Sequence, residues 1–365
     1  MYVTYVLSRC VGPKVTSRAI STYTILGFTG YAAANVLGVV LGSVWELTLA
    51  ERLITCFGPP IAFLIVVTIA SAIAGGERIV FYQIACAGLL TVIVAGLLTG
   101  ARIDRMLDLA TLGIGTFLVF GRLGCWSVAC CHGTLGRGVV YGPAHVAVGF
   151  WARWSGRPLW PVQALEAAAS AILVIIALLL GSAPGEPTMI YLVGYAVVRF
   201  VLERVRGDGK RPYVGGLSEA QGIALATTVI VAIWQPAIAT ITVAGVLAIG
   251  ATSIFVTRQR RELLLPPHLR ELDRAMAAAG DGARHETSHL AVSRHPLPDG
   301  RIDWVLSSTH PSWNEATCRR LGHAMWPEWV TWRLVTGKTA GVMHVLLDPE
   351  DQPAVGHEDR ARLAP

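Results

Sequence analysis

Arginine inside an apolar run is the first residue to explain in this chain. Arg122 closes the run 107–121 and stands in GRLGCWSVACCHG, Gly121 to Gly133, with Cys125, Cys130, Cys131 and His132 behind it. A second arginine, Arg199, lies in the apolar YLVGYAVVRFVLERV with Glu203 four residues later. On a helix that spacing puts both side chains on one face, a turn apart. A charge at membrane depth is costly and by default marks a functional site. Paired only with Glu203, Arg199 would do no more than fix helix packing. If Arg122 and Arg199 converge, they can grip a phosphate through paired hydrogen bonds, and at that depth the natural phosphate is a phospholipid head group.

The cysteines allow a different chemistry. The chain has seven, and Cys56 and Cys86 sit in apolar runs where a thiol behaves as a small hydrophobe. Only Cys125, Cys130 and Cys131 cluster, with His132 beside them. Thiolates and imidazole are zinc ligands, so a metal set, a redox pair and small-residue packing are all open. Adjacent Cys130 and Cys131 are awkward to turn toward one ion, and no CxxC is present, so the expectation is no bound metal and no cofactor.

The elements that must position these residues are helices in a bilayer. Of the 365 residues, 53% are hydrophobic and 15% charged, against about 25% charged in an ordinary soluble domain, and the mean hydropathy is +0.53. Apolar runs of spanning or near-spanning length recur at about 21–43, 54–75, 79–99, 107–121, 162–182, 187–203, 217–234 and 236–256, the sixth and seventh being short. The expected fold is an all-α polytopic membrane domain of about seven or eight transmembrane helices over 1–257. Arg9, Lys14 and Arg18 precede the first run, which is long enough to span and is read as an uncleaved helix. The net charge of +6 is assigned to basic loops facing head groups rather than to nucleic acid. The loop 134–161, with Arg153, Arg157, Trp151, Trp154 and Trp160, has the composition of a membrane interface.

After Val256 the apolar excess stops. RQRRE is a juxtamembrane basic cluster and Pro266-Pro267 a linker. Beyond it, a helix near 268–279, strands in SHLAVSRH and IDWVLSST, a helix in WNEATCRRLGHAM and strands in VTWRLVTG and GVMHVLLD predict a small α+β soluble domain over 258–365 with a βαβ element. Its five histidines from His285 to His323 have no compact ligand spacing and are expected to be dispersed on the surface or used in packing rather than to hold a metal, and the tail after Pro349 is charged and loose.

Several motifs together resemble one family. Gly121-Arg122-Leu123-Gly124 through Gly133 is similar to the signature of prolipoprotein diacylglyceryl transferases, which begins GRIGN and ends at a glycine. Pro161, Gln163, Leu165 and Glu166 fall in step with the family's HPSQLYE segment. Tyr195 to Glu203 resembles its YxxxRFxxE helix, and Ser218 to Gln221 matches its SxxQ. Tyr23, and Tyr82 in Phe81-Tyr82, stand where the family places functional tyrosine or histidine. Order and spacing agree over roughly 20–235.

The resemblance implies transfer of a diacylglyceryl group from phosphatidylglycerol to the lipobox cysteine thiol of a prolipoprotein, in the bacterial plasma membrane. Carried over residue by residue, it implies catalytic roles for Tyr82, Arg122, Arg199 and Glu203. It also implies lipid-phosphate contacts from Arg122, Arg199, Tyr23, Gly133, Gln163 and Gln221. The partners it implies are phosphatidylglycerol, a prolipoprotein and membrane lipids. The chain departs from the pattern at Tyr82-Gln83-Ile84, where the family has HGG, at Cys125, where it has asparagine, and at Cys130, where it has an acidic residue. Other readings are a non-catalytic lipid-binding or transport protein on the same scaffold, or a Cys/His redox or metal-handling membrane protein.

Overall fold

A computed structural model describes residues 21–75, 81–209, 211–326 and 332–347. The basic N-terminal segment and the charged tail after Pro349 lie outside the described residues. By contacts the chain forms two units, one of Met1–Phe150, Pro158–Arg206 and Leu217–Ser253, the other of Trp151–Arg157, Gly207–Gly216 and Ile254–Pro365.

The helices of the first unit are α1 (Thr22–Val44), α2 (Leu49–Ala74), α3 (Phe81–Thr99), α4 (Ile103–Ser127), α5 (Val162–Leu180), α6 (Glu186–Leu202), α7 (Glu219–Trp234) and α8 (Ile238–Val256). Six of these are long and apolar enough to cross a membrane, and α6 and α7, with 17 and 16 residues, are the short ones. The expected runs 54–75 and 107–121 extend further than hydropathy suggests. A capping box starts α2 early, the Thr48 hydroxyl accepting from Glu51 N and the Glu51 carboxylate accepting from Thr48 N at 2.7 Å. The other oxygen of Glu51 accepts from Arg102 N at 3.0 Å, which ties the starts of α2 and α4 together. At its far end α4 continues through Arg122 and Cys125 because the arginine is paired, as shown below.

Helix α4 is the hub of the first unit. It packs on α1, α5, α3, α6 and α2, and 56% of its most apolar window is buried, against 11% for α2. Lipid-facing helices can stay apolar all round, whereas a central one needs small residues for close approach. Gly115 supplies that: a Cβ there would stand 2.5 Å from the Tyr191 ring of α6. Ser170 of α5 closes the contact, donating to Gly115 O at 2.9 Å with its oxygen 2.7 Å from the Tyr191 hydroxyl. Asp108 on α4 fixes where α6 begins, accepting from Gly185 N at 2.9 Å and Thr188 N at 3.0 Å. After α4 the chain enters a two-stranded antiparallel ribbon, β1 (Leu135–Val140) with β2 (Pro158–Leu159).

The second unit carries an amphipathic helix α9 (Pro266–Ala278), strands β3 (Arg284–Glu286), β4 (Ala291–Pro296) and β5 (Ile302–Ser307), helix α10 (Glu315–Met325), and strands β6 (Trp332–Thr336) and β7 (Val342–Leu347). The sheet order is β3-β4-β5-β7-β6, with every neighbouring pair antiparallel. Strands β5 and β6 therefore run parallel with β7 between them, so the expected βαβ element is present in split form. Both helices bury residues at helical spacing, Leu269, Leu272 and Met276 on α9 and Cys318, Leu321 and Met325 on α10. Burial pushes the Cys318 thiol up to about 12, so it packs as a hydrophobe.

Trp151, Arg153 and Trp154, expected at a membrane interface, spend their side chains on protein partners. Trp151 and Trp154 are buried within the second unit. Trp151 Nε1 and Arg153 Nε donate to the two oxygens of Asp273 on α9 at 2.5 and 2.6 Å. Arg153 Nη1 reaches Met325 O at 2.6 Å and Trp154 Nε1 reaches Ala324 O at 3.1 Å, both at the end of α10. Arg270 lies over the Trp151 ring, 4.0 Å from its centre. An indole with a distant hydrogen-bond partner is driven inward, and hydropathy does not register that partner.

The histidines are not all dispersed either. His289 sits between His268 and His310, its ring centre 5.2 and 5.5 Å from theirs. His268 is buried, with Nδ1 2.8 Å from Leu263 O, and burial pulls its pKa below the usual 6.5. The folded state therefore binds fewer protons than the unfolded state just below that value. Its contribution is complete above pH 6.5 and is lost as the pH falls toward the depressed folded value. Thermal unfolding followed by tryptophan fluorescence should move to lower temperature on acidification from about 7.5 to about 5.5, and His268→Asn should flatten that dependence.

Candidate active site

Four elements deliver charged groups to one buried point. Arg122 comes from the last turns of α4, Glu166 from the second turn of α5, Arg199 from the last turn of α6, and Glu203 from the 3-10 turn that follows. All four are at most 5% exposed, and Arg199 is wholly buried. Glu166 is the bridge. Its Oε2 lies 3.0 Å from Arg122 Nε and its Oε1 3.7 Å from Arg199 Nε. Tyr195, one turn before Arg199, donates its hydroxyl to Glu166 Oε1 at 2.6 Å. Arg199 Nη2 lies 2.5 Å from Glu203 Oε2, a charge contact rather than an aligned hydrogen bond.

Arg206 joins the same field. It is 3% exposed, acts electrostatically on Glu166 and Arg199, and is held by a backbone bridge to Gly133. Three guanidiniums and two carboxylates thus share one low-dielectric site. Arg199 Nη1 is buried without a hydrogen-bond partner among the described residues. An unengaged guanidinium nitrogen in such a site suits an anionic oxygen.

The structure brings most of the expected site residues to this point or to its frame. Tyr82 on α3 sits within the fields of Arg199, Glu166, Arg122 and Glu203, its ring against the core of Leu112, Leu118 and Tyr191. Tyr23 on α1 is 43% exposed and lies against the signature turn, where a Cβ on Gly124 would stand 3.0 Å from its ring. Gln163, fully buried, donates from Nε2 to Cys130 O at 2.7 Å, so it joins α5 to the signature turn. Gly133 passes under Trp160, where a Cβ would stand 2.3 Å from the Trp160 carbonyl oxygen, so the position requires glycine for close approach. Gln221 spends both ends of its amide on the frame, accepting from Ser218 N at 3.1 Å and donating to Phe200 O at 3.3 Å, the residue next to Arg199.

The thiols differ from expectation. The sulfurs of Cys125, Cys130 and Cys131 all lie within 4.8 Å of one another, although 130 and 131 are neighbours. Ala129 and Cys131 both have φ of 56°, and this double left-handed turn folds the loop back on itself. His132 stands apart from them, its Nδ1 2.9 Å from Gly133 O and its ring edge-on to Phe150.

Glu166 and Arg206 are the residues that sequence reasoning left without a role. Glu166 is the lone carboxylate in VQALEAAASAIL, and the argument that singles out Arg122 in an apolar run applies to it equally. Arg206 sits in RVRGDGKR, where a basic loop hides it. Removing Glu166 strands two buried guanidiniums. Glu166→Ala should cost about 3–5 kcal/mol of stability, whereas Tyr195→Phe should cost about 1–2 kcal/mol. Thermal unfolding in detergent micelles checks both, and equal midpoints for Glu166→Ala and the unsubstituted protein would contradict the charge balance.

Comparison with known proteins converges on the same stretch. Residues 19–236 match the family described as prolipoprotein diacylglyceryl transferase. Over 156 residues the chain is 28% identical to phosphatidylglycerol--prolipoprotein diacylglyceryl transferase 2 of Clostridium perfringens, a match covering 41% of this chain and 58% of that relative. The family region holds all of the buried ionic cluster, Arg122, Glu166, Arg199, Glu203 and Arg206. With its membrane-length helices and a matched region covering more than half its length, the chain belongs to the prolipoprotein diacylglyceryl transferase family.

Proposed function

We propose that the protein moves the diacylglyceryl group of phosphatidylglycerol onto the lipobox cysteine thiol of a prolipoprotein in the bacterial plasma membrane. The observation that supports this reading is the convergence of Arg122 and Arg199 on buried Glu166, with Arg199 Nη1 available as a donor. In the reaction the thiol gives up its proton and the sulfur attacks the glyceryl carbon that bears the phosphate. A carbon–sulfur bond forms, the carbon–oxygen bond breaks, and glycerol phosphate leaves with the electron pair.

Charge builds on the departing phosphate oxygen, and preorganised donors there lower the barrier most. Arg122 and Arg199 take that role, held in place by Glu166, with Arg206 adding to the field. Tyr82, among the same charges, is the relay for the thiol proton, its hydroxyl giving up one proton as it takes another, and the proton ends on the departing phosphate, while Glu203 holds Arg199 and shares in moving it. Tyr23, exposed over the signature turn, is placed to touch the incoming lipid. Gln163, Gly133 and Gln221 shape the frame around it rather than supplying charge.

The assay is direct. Purified protein in phosphatidylglycerol micelles is given a lipobox peptide, and intact mass is read on the peptide cysteine. A diacylglyceryl gain is expected, falling about 100- to 1,000-fold in rate for Arg199→Ala and for Arg122→Ala. Tyr82→Phe should lower the rate of transfer while leaving lipid binding unchanged. No mass gain from a preparation that binds the lipid would overturn the reading and leave a lipid-binding scaffold without the chemistry.

A further inference from the structure

The proposed transfer gives no role to the three thiols beside Arg122. Cys125 belongs to the last turn of α4, and Cys130 and Cys131 belong to the turn that follows. We propose that Cys125, Cys130 and Cys131 form a three-thiolate site for a thiophilic d10 cation, zinc or copper(I), with one coordination position open to solvent or to a further ligand.

Three observations carry the assignment. First, the sulfurs all lie within 4.8 Å of one another and none is in a disulfide. Metal–thiolate bonds of about 2.3 Å place sulfurs roughly 3.8–4 Å apart around one ion, within reach of that spacing. Second, adjacent cysteines face one point here because the loop takes two left-handed residues in three positions, at Ala129 and Cys131. Packing of small residues calls for no such backbone. Third, the loop is pinned from inside while its outer side is open. Gln163, fully buried, holds the Cys130 carbonyl at 2.7 Å, and Cys130 itself is exposed, so an ion has a path in.

Charge and donor type agree. Arg122 and Arg206 act electrostatically on Cys131, and their positive charge offsets the excess negative charge of a trithiolate complex. Soft sulfur ligands without a carboxylate in the set select zinc or copper(I) over magnesium or calcium. Loading would fasten the end of α4 to the turn that leads to Gly133. The assignment stands apart from the transfer reaction, since it is read from metal content rather than turnover.

The test uses the full chain in detergent micelles, purified under reducing conditions. Metal content is measured by mass spectrometry, and the chelated protein is then titrated with cadmium(II) while thiolate-to-metal charge-transfer absorption is followed. About one ion per chain is expected, falling at least about tenfold in Cys125→Ser/Cys131→Ser and unchanged in Cys86→Ser. The uptake of the unsubstituted protein decides the matter even if the double variant folds poorly. No cadmium uptake by the reduced chain, uptake equal in a folded double variant, or a stable disulfide among the three in the protein as isolated would overturn the site.

Discussion

One carboxylate between two arginines holds this protein's membrane unit in its present arrangement. Glu166 touches Arg122 on one side and Arg199 on the other, and takes a hydrogen bond from Tyr195. Each of the three helices involved, α4, α5 and α6, could satisfy its own backbone alone in lipid. What none could carry alone is its buried charge. The cost of desolvating an ion is recovered only when its partner arrives from another helix, so the ionic cluster dictates which helices meet and at what level. The apolar contacts around Gly115, Ser170 and Tyr191 then fix how closely they meet.

The same constraint separates framework from chemistry. Glu166 is committed to two partners and Tyr195 to Glu166, so neither is free to change state without unsettling the cluster. Arg199 differs, having charged contacts on two nitrogens and an unengaged donor on the third. Around this core, Gln163 and Gln221 use their amides on backbone carbonyls at the two sides of the cluster, at Cys130 and at Phe200. A site built this way is rigid before substrate arrives, which is what electrostatic catalysis requires.

Most of the membrane unit was legible in the sequence because lipid imposes simple rules. Length and apolarity gave the helices, and a charge in an apolar run gave Arg122 and Arg199. The family motifs put Tyr82 and Glu203 beside them. What stayed hidden depends on contacts between distant residues. Glu166 needed the same suspicion as the arginines, and Arg206 was masked by its basic neighbours. The gathered thiols depend on two left-handed residues, neither of them glycine, and sequence gives no cue for that conformation. Trp151 and Trp154 read as interface residues because their partners, Asp273 and Ala324, lie far along the chain.

That separation bears on how the protein is made. Trp151 and Asp273 are 122 residues apart, and Trp154 and Ala324 are 170 apart. Domains generally form in the order of synthesis, yet this unit begins with a segment that emerges before α5 and closes only with one that follows α8. The early indoles must therefore wait, exposed, through the insertion of four more helices. The second unit is then the last part of the chain to mature, and a translation product truncated after α8 leaves Trp151 and Trp154 without Asp273 and the end of α10. Those two side chains reach their final partners only once the chain through the end of α10 has been made.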